Sequence, residues 1–130
     1  MIGIVIVAHG GLAKEYLSAV EHVVGAQDGI RAISIEAECD RTQKKAEIQS
    51  AVDSVDTGDG VVVVTDMFGG SPSNLSMAAC VPEDRKIVYG ANLPMLVKLA
   101  KSRDLGLLEA VDRALTAGRK YINCCDGVPG

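Results

Sequence analysis

Two stretches of this chain, Ile4-Val5-Ile6-Val7-Ala8 and Val61-Val62-Val63-Val64-Thr65, are almost wholly apolar and dominated by β-branched residues. A strand with one wet face alternates polar and apolar side chains, so a strand without alternation must be covered on both faces. Such strands belong inside a parallel sheet sandwiched between helices. The composition agrees: 48% of the 130 residues are hydrophobic but only 3% are aromatic, which calls for a core of Val, Ile, Leu and Ala.

Helix and strand signals alternate along the whole chain. Residues 2–8 read as a first strand, followed by a helix over 12–24 whose apolar positions Leu12, Tyr16, Val20, Val23 and Val24 share one face, with Gly25 placed to end it. Ile30 to Ile35 reads as a second strand. Asp40 caps the next helix, with Gln43 as capping-box partner and Ile48, Val52 and Val55 as its buried stripe. A turn at 56–60 leads into the third strand at 61–65; Ser71 then reads as N-cap and Pro72 as first residue of a short helix that stops near Pro82. Lys86 to Tyr89 makes a fourth strand, Asn92 starts another helix, and Leu105 to Ala117 forms the last one, closed by Gly118.

Repeated strand–helix–strand units with right-handed crossovers predict a single α/β domain over 1–130. Its doubly wound, mostly parallel sheet has helices on both faces. The expected strand order is 2-1-3-4, as in flavodoxin-like folds. Residues 1–119 form the core, and the tail 120–130 is expected to add an edge strand between Lys120 and Cys125.

Composition also sets aside several functions. With 13 basic against 17 acidic residues and no basic block longer than Lys44-Lys45, nucleic acid is not an expected partner. No apolar run is long enough to span a bilayer, and Met1 leads straight into strand-like sequence, so a cytoplasmic location is expected. Cys39, Cys80, Cys124 and Cys125 lack CxxC spacing and a nearby His cluster; they read as ordinary reduced thiols, and no metal site is expected.

In an open parallel sheet, ligands bind beyond the carboxyl ends of the strands, where the strand order reverses. In the expected order that point lies between strands one and three, whose backbones would run about 4.8 Å apart. His9 follows the first strand and Asp66 the third. A carboxylate that takes the proton of one imidazole nitrogen leaves the lone pair of the other exposed, so His9 reads as an oriented nucleophile for phosphorus with Asp66 stabilising the resulting charge. The segment Gly69-Gly70-Ser71 opens a helix and offers backbone N–H groups and a hydroxyl to an incoming phosphate.

At these residues the chain resembles the enzyme IIA domains of the mannose family in the bacterial phosphotransferase system. The matching segments are Ile4-Val5-Ile6-Val7-Ala8-His9-Gly10, Thr65-Asp66-Met67-Phe68-Gly69-Gly70-Ser71-Pro72-Ser73-Asn74 and Gly90-Ala91-Asn92-Leu93-Pro94-Met95. The resemblance implies that His9 is the phosphohistidine, Asp66 its hydrogen-bonded aspartate and Ser71 the phosphate-loop serine. It further implies a homodimeric phosphotransferase without cofactor or metal. Such a protein takes phosphate from the histidine-containing phosphocarrier protein and passes it to a IIB component for sugar uptake, meeting the membrane only through a IIC/IID complex. Sugar-transporting members often carry IIB fused to IIA, whereas this chain stops soon after the predicted fold. That makes a regulatory module, whose His9 phosphorylation state controls binding to a target, the alternative expectation.

Other residues have plainer readings. Met67 and Phe68, with Asn92, Pro94 and Met95 on the loop after strand four, border the same sheet edge and form a candidate docking rim, although capping alone accounts for Asn92. His22 reads as a partly exposed helix residue. A phosphoaspartate receiver domain would need an acidic pair after its first strand to hold Mg²⁺, where this chain has Ala8-His9-Gly10. A serine hydrolase would need a G-x-S-x-G elbow, which Gly70-Ser71-Pro72 does not supply.

Overall fold

The unalternating runs become the two central strands of a parallel sheet. The computed structural model describes residues 1–128. Strands β1 (Gly3–His9), β2 (Ile30–Ile35), β3 (Val61–Thr65) and β4 (Arg85–Val88) pair in the order β2-β1-β3-β4, all parallel, as the sequence predicts. The helices are α1 (Leu12–Val24), α2 (Arg41–Val55), α3 (Ser71–Ser76), α4 (Leu93–Lys101) and α5 (Leu107–Lys120), with a 3₁₀ turn, Met77–Cys80, extending α3.

Alternate residues of each central strand feed two separate cores. Ile4, Ile6, Ala8, Val62 and Val64 face α1, α4 and α5, where they meet Val20, Leu96, Leu99 and Ala114. Val5, Val7, Val61 and Val63 face α2 and α3, where they meet Ile48, Val52, Val55 and Leu75. Each fully buried Val, Ile or Leu contributes roughly 1.5–3 kcal/mol, so the two cores together outweigh any polar interaction on the surface. No helix among the described residues is long and apolar enough to cross a membrane.

Several boundaries differ from the sequence expectation for physical reasons. The buried stripe of α1 runs through Ala13, Tyr16, Leu17, Val20 and Val24, and this puts Leu12 and Val23 on its exposed flank. Gly118 does not end α5. A Cβ there would lie 3.1 Å from the Cβ of Met95, so this glycine lets α4 and α5 approach while the helix continues to Lys120. The expected edge strand in the tail does not form among the described residues: α5 takes up Lys120, and beyond it Cys124 N–H donates to Asn123 Oδ1 at 2.8 Å, a local bond that competes with strand pairing. Burial pushes the Cys80 thiol up to about 11, which keeps it protonated and unreactive.

Two contacts lock the N-terminal edge of the sheet. A Cβ on Gly3 would come within 2.4 Å of the Val55 carbonyl oxygen, so only glycine lets the end of α2 lie on β1. Arg103 is 4% exposed; its Nε donates to Ile2 O at 2.7 Å, and its terminal nitrogens donate to Asp28 O at 2.6 Å and Gly29 O at 3.2 Å. Gly3→Ala is expected to destabilise the protein by about 1–3 kcal/mol through overpacking, read from chemical denaturation. Arg103→Met, which keeps volume but removes the donor to the Ile2 and Asp28 carbonyls, is expected to cost about 3 kcal/mol in the same measurement.

Candidate functional site

Parallel register decides which side chains meet. Val7 of β1 pairs with Thr65 of β3, so both strands end within two residues of the same level, and His9 and Asp66 emerge side by side at the carboxyl edge. The carboxylate oxygen Asp66 Oδ2 lies 2.7 Å from His9 Nδ1 and also accepts the backbone N–H of His9 at 3.1 Å. One oxygen thus fixes both the main chain and the ring of His9. The other, Oδ1, is buried without a hydrogen-bond partner.

Burial raises the Asp66 carboxyl, but the hydrogen bonds from the His9 side chain and backbone outweigh it, and the group lies below its ordinary value. Asp66 is therefore ionised at neutral pH and can only accept. The proton in the 2.7 Å contact sits on Nδ1, which leaves the lone pair of neutral His9 on Nε2. The two partners differ in access: the Asp66 side chain is 12% exposed and that of His9 is 46% exposed. Nδ1 is held by the less exposed carboxylate, while Nε2 lies on the other side of a half-exposed ring.

The glycine loop closes over the ring. A Cβ on Gly70 would lie 3.0 Å from His9 Cε1 and 3.4 Å from Nε2, so the loop backbone approaches the imidazole closely and a side chain there would require the ring to shift by a few tenths of an ångström. Beside it is an open cleft of about 440 Å³ lined by His9, Gly10, Ile35, Glu36, Ala37 and Ser71. A larger hollow of about 530 Å³ between α4 and α5 is lined by residues such as Pro94, Lys98 and Tyr121 and contains neither His9 nor Asp66.

His9, Asp66, Gly70 and Ser71 are thus brought together as the sequence predicts, but the loop is wired differently. Gly70, not Ser71, is the N-cap of α3, and Ser71 is its first helical residue with no capping bond from its side chain. Ser73 does the local bonding: its buried hydroxyl accepts the Gly69 N–H and donates to Gly70 O, each at 3.1 Å. That occupies the Gly69 N–H and frees the Ser71 hydroxyl to face the cleft, where the Arg41 guanidinium donates to it at 3.5 Å. Sequence reasoning missed both Ser73 and Arg41. The only hint of Arg41 was a cation directly after the Asp40 cap.

The candidate rim divides. Met67 and Phe68 are 54% and 70% exposed, with Phe68 standing edge-on to Tyr89 at 4.9 Å between ring centroids. Met95, by contrast, is in the core at 4% exposure, because α4 turns it against Gly118. Pro94 is only partly exposed and lines the hollow between α4 and α5. Asn92 caps α4 by accepting the Met95 N–H at 3.0 Å and spends its amide on Gly118 O at 2.9 Å. The expected rim therefore contracts to Met67 and Phe68.

Known proteins resemble this chain in sequence and fold. The family model EIIA-man, described as "PTS system fructose IIA component", matches residues 3–115. The mannose-specific EIIAB component of the phosphotransferase system from Escherichia coli (strain K12) is 28% identical over 98% of this chain, which spans only 41% of that longer protein. The crystal structure of phosphotransferase system component EIIA from Streptococcus agalactiae matches with a TM-score of 0.85 at 31% identity, covering 95% of this chain and 97% of that one. The mannose/sorbose-specific IIA subunit from Enterococcus faecalis, at 23% identity and covering 98% and 96% of the two chains, shares the fold with a TM-score of 0.85. With most of its length matched by the family model and the same fold in these solved structures, the chain belongs to the EIIA-man family of phosphotransferase-system IIA components.

Proposed function

We propose that this protein is a phosphoryl relay in which His9 Nε2 accepts phosphate from the phosphohistidine of the phosphocarrier protein and hands it to a IIB component in sugar uptake. The observation that supports it best is the 2.7 Å contact between His9 Nδ1 and Asp66 Oδ2, which leaves Nε2 as the outward nucleophile. Membership in the EIIA-man family points the same way. Residues 1–119 act here as one IIA unit, and a homodimer in the cytoplasm fits the family reading.

In the transfer, the Nε2 lone pair attacks phosphorus as the P–N bond to the carrier imidazole breaks, and the bonding pair returns to the carrier. The Nδ1 proton stays where it is. The His9 ring gains positive charge, which the ionised Asp66 offsets at short range without taking the proton. The phosphoryl oxygens are met by the backbone N–H groups of Gly70 and Ser71 and by the Ser71 hydroxyl, with the loop near enough to contact a group on Nε2. Met67 and Phe68 provide an apolar contact for the docking carrier beside the reacting atoms. Because phosphate leaves His9 by the same in-line path to the IIB acceptor, one site serves both donor and acceptor.

Incubation with phosphoenolpyruvate, enzyme I and the phosphocarrier protein is expected to place an acid-labile, base-stable label on His9, located by peptide mass spectrometry. Absence of label, or its persistence in His9→Ala, would remove His9 from the relay. Asp66→Asn is expected to slow loading by on the order of 100-fold while the far-UV circular dichroism stays unchanged. The pH dependence of its stability follows from the lowered Asp66 value. The contribution of the ionised pair is complete above the ordinary carboxylate range and is lost as the pH falls through the lowered value. The thermal stability gap between the native protein and Asp66→Asn should therefore hold at neutral pH and close on acidification.

A further inference from the structure

Arg41 opens α2 directly after its cap, Asp40, and that placement works against the helix. A helix N-terminus carries partial positive charge, so a cation in the first turn is unfavourable; beyond the cap Asp40, whose carboxylate is engaged by the Gln43 N–H, the first turn of α2 has no acidic residue. Arg41 is exposed, and among the described residues it forms no ion pair. Arg85 and Arg113, in contrast, are paired with carboxylates, and Arg103 is taken up by backbone carbonyls. Among the described residues the one hydrogen bond of the Arg41 side chain is to Ser71 Oγ, at the cleft that holds His9.

The charge at that cleft is otherwise wrong for a phosphoryl group. Its charged members are Glu36 on the lining and Asp66 behind His9, both acidic. A phosphoryl group brings roughly 1.5 to 2 further negative charges. Backbone N–H groups orient such a group but do not neutralise it. A guanidinium does, and its planar fork matches two phosphate oxygens at once, which an ammonium cannot do.

We propose that Arg41 is a phosphoryl-binding residue: it waits on the Ser71 hydroxyl in the free protein and moves onto the phosphoryl oxygens when His9 is loaded. This rests on His9 being the phosphoryl acceptor. No bond forms or breaks at Arg41; it stabilises phosphorylated His9 relative to the free form and so draws the exchange with the carrier toward the loaded state. It also ties the start of α2 to the phosphate, so that loading changes the surface around the cleft.

The native protein, Arg41→Gln and Arg41→Lys are equilibrated with a limiting amount of the phosphorylated phosphocarrier protein at low and high salt. The occupancy of His9 and the pH titration of its ³¹P resonance are then measured. Arg41→Gln should still take a base-stable label, but at several-fold lower occupancy, with the phosphoryl titration displaced to higher pH and the difference shrinking in salt. Arg41→Lys should recover part of both effects, and the unfolding midpoint of Arg41→Gln should equal or exceed that of the native protein. Equal occupancy and an unmoved ³¹P titration in Arg41→Gln would overturn the role of Arg41 and leave His9 in place. A native protein that takes no label would overturn both.

Discussion

Burial of β1 and β3 on both faces is the constraint from which the rest follows. Strands covered above and below have no place for a polar side chain until they reach their ends, so chemistry is confined to the sheet edge. His9 is the first exposed residue after Gly3–Ala8, and Asp66 is the first after Val61–Thr65 that is not fully buried. Parallel pairing then puts the two ends on the same side of the molecule. An antiparallel pairing of the same strands would have separated them by the length of the sheet.

From that juxtaposition the site acquires its polarity. Asp66 lies deeper than His9 and carries a persistent charge, while the imidazole bridges it to solvent. The glycine loop is held shut by Ser73 from below, and its serine neighbour is left to face outward. Rigidity on one side of the ring and openness on the other suit the proposed relay, in which a group is received from one large partner and given up to another. A deep pocket would have excluded both.

The layered fold was legible because its signals are local and redundant: apolar runs without alternation for the strands, Asp40 and Asn92 as caps, and Ile48, Val52 and Val55 as a stripe. His9 and Asp66 were legible for the same reason, since each simply follows such a run. What was not legible depended on how elements approach each other. Gly118 looks like a stop signal until Met95 is seen packed against it, and the same packing takes Met95 out of the rim. Ser71 reads as a cap in one dimension; the extended backbone of Gly70 takes that place and leaves Ser71 as the first helical residue. Arg41 and Ser71 are 30 positions apart and meet only because α2 and α3 share one face of the sheet.

The buried Arg103 has a consequence for how this chain comes to be folded. It satisfies the carbonyl of Ile2 across a separation of 101 positions and that of Asp28 across 75. These acceptors sit just before β1 and β2, so the carbonyls at the start of the first two strands gain this donor only once the segment after α4 has emerged. Long-range closure of this kind is slow compared with helix formation. The last third of the chain thus acts as the latch on the first.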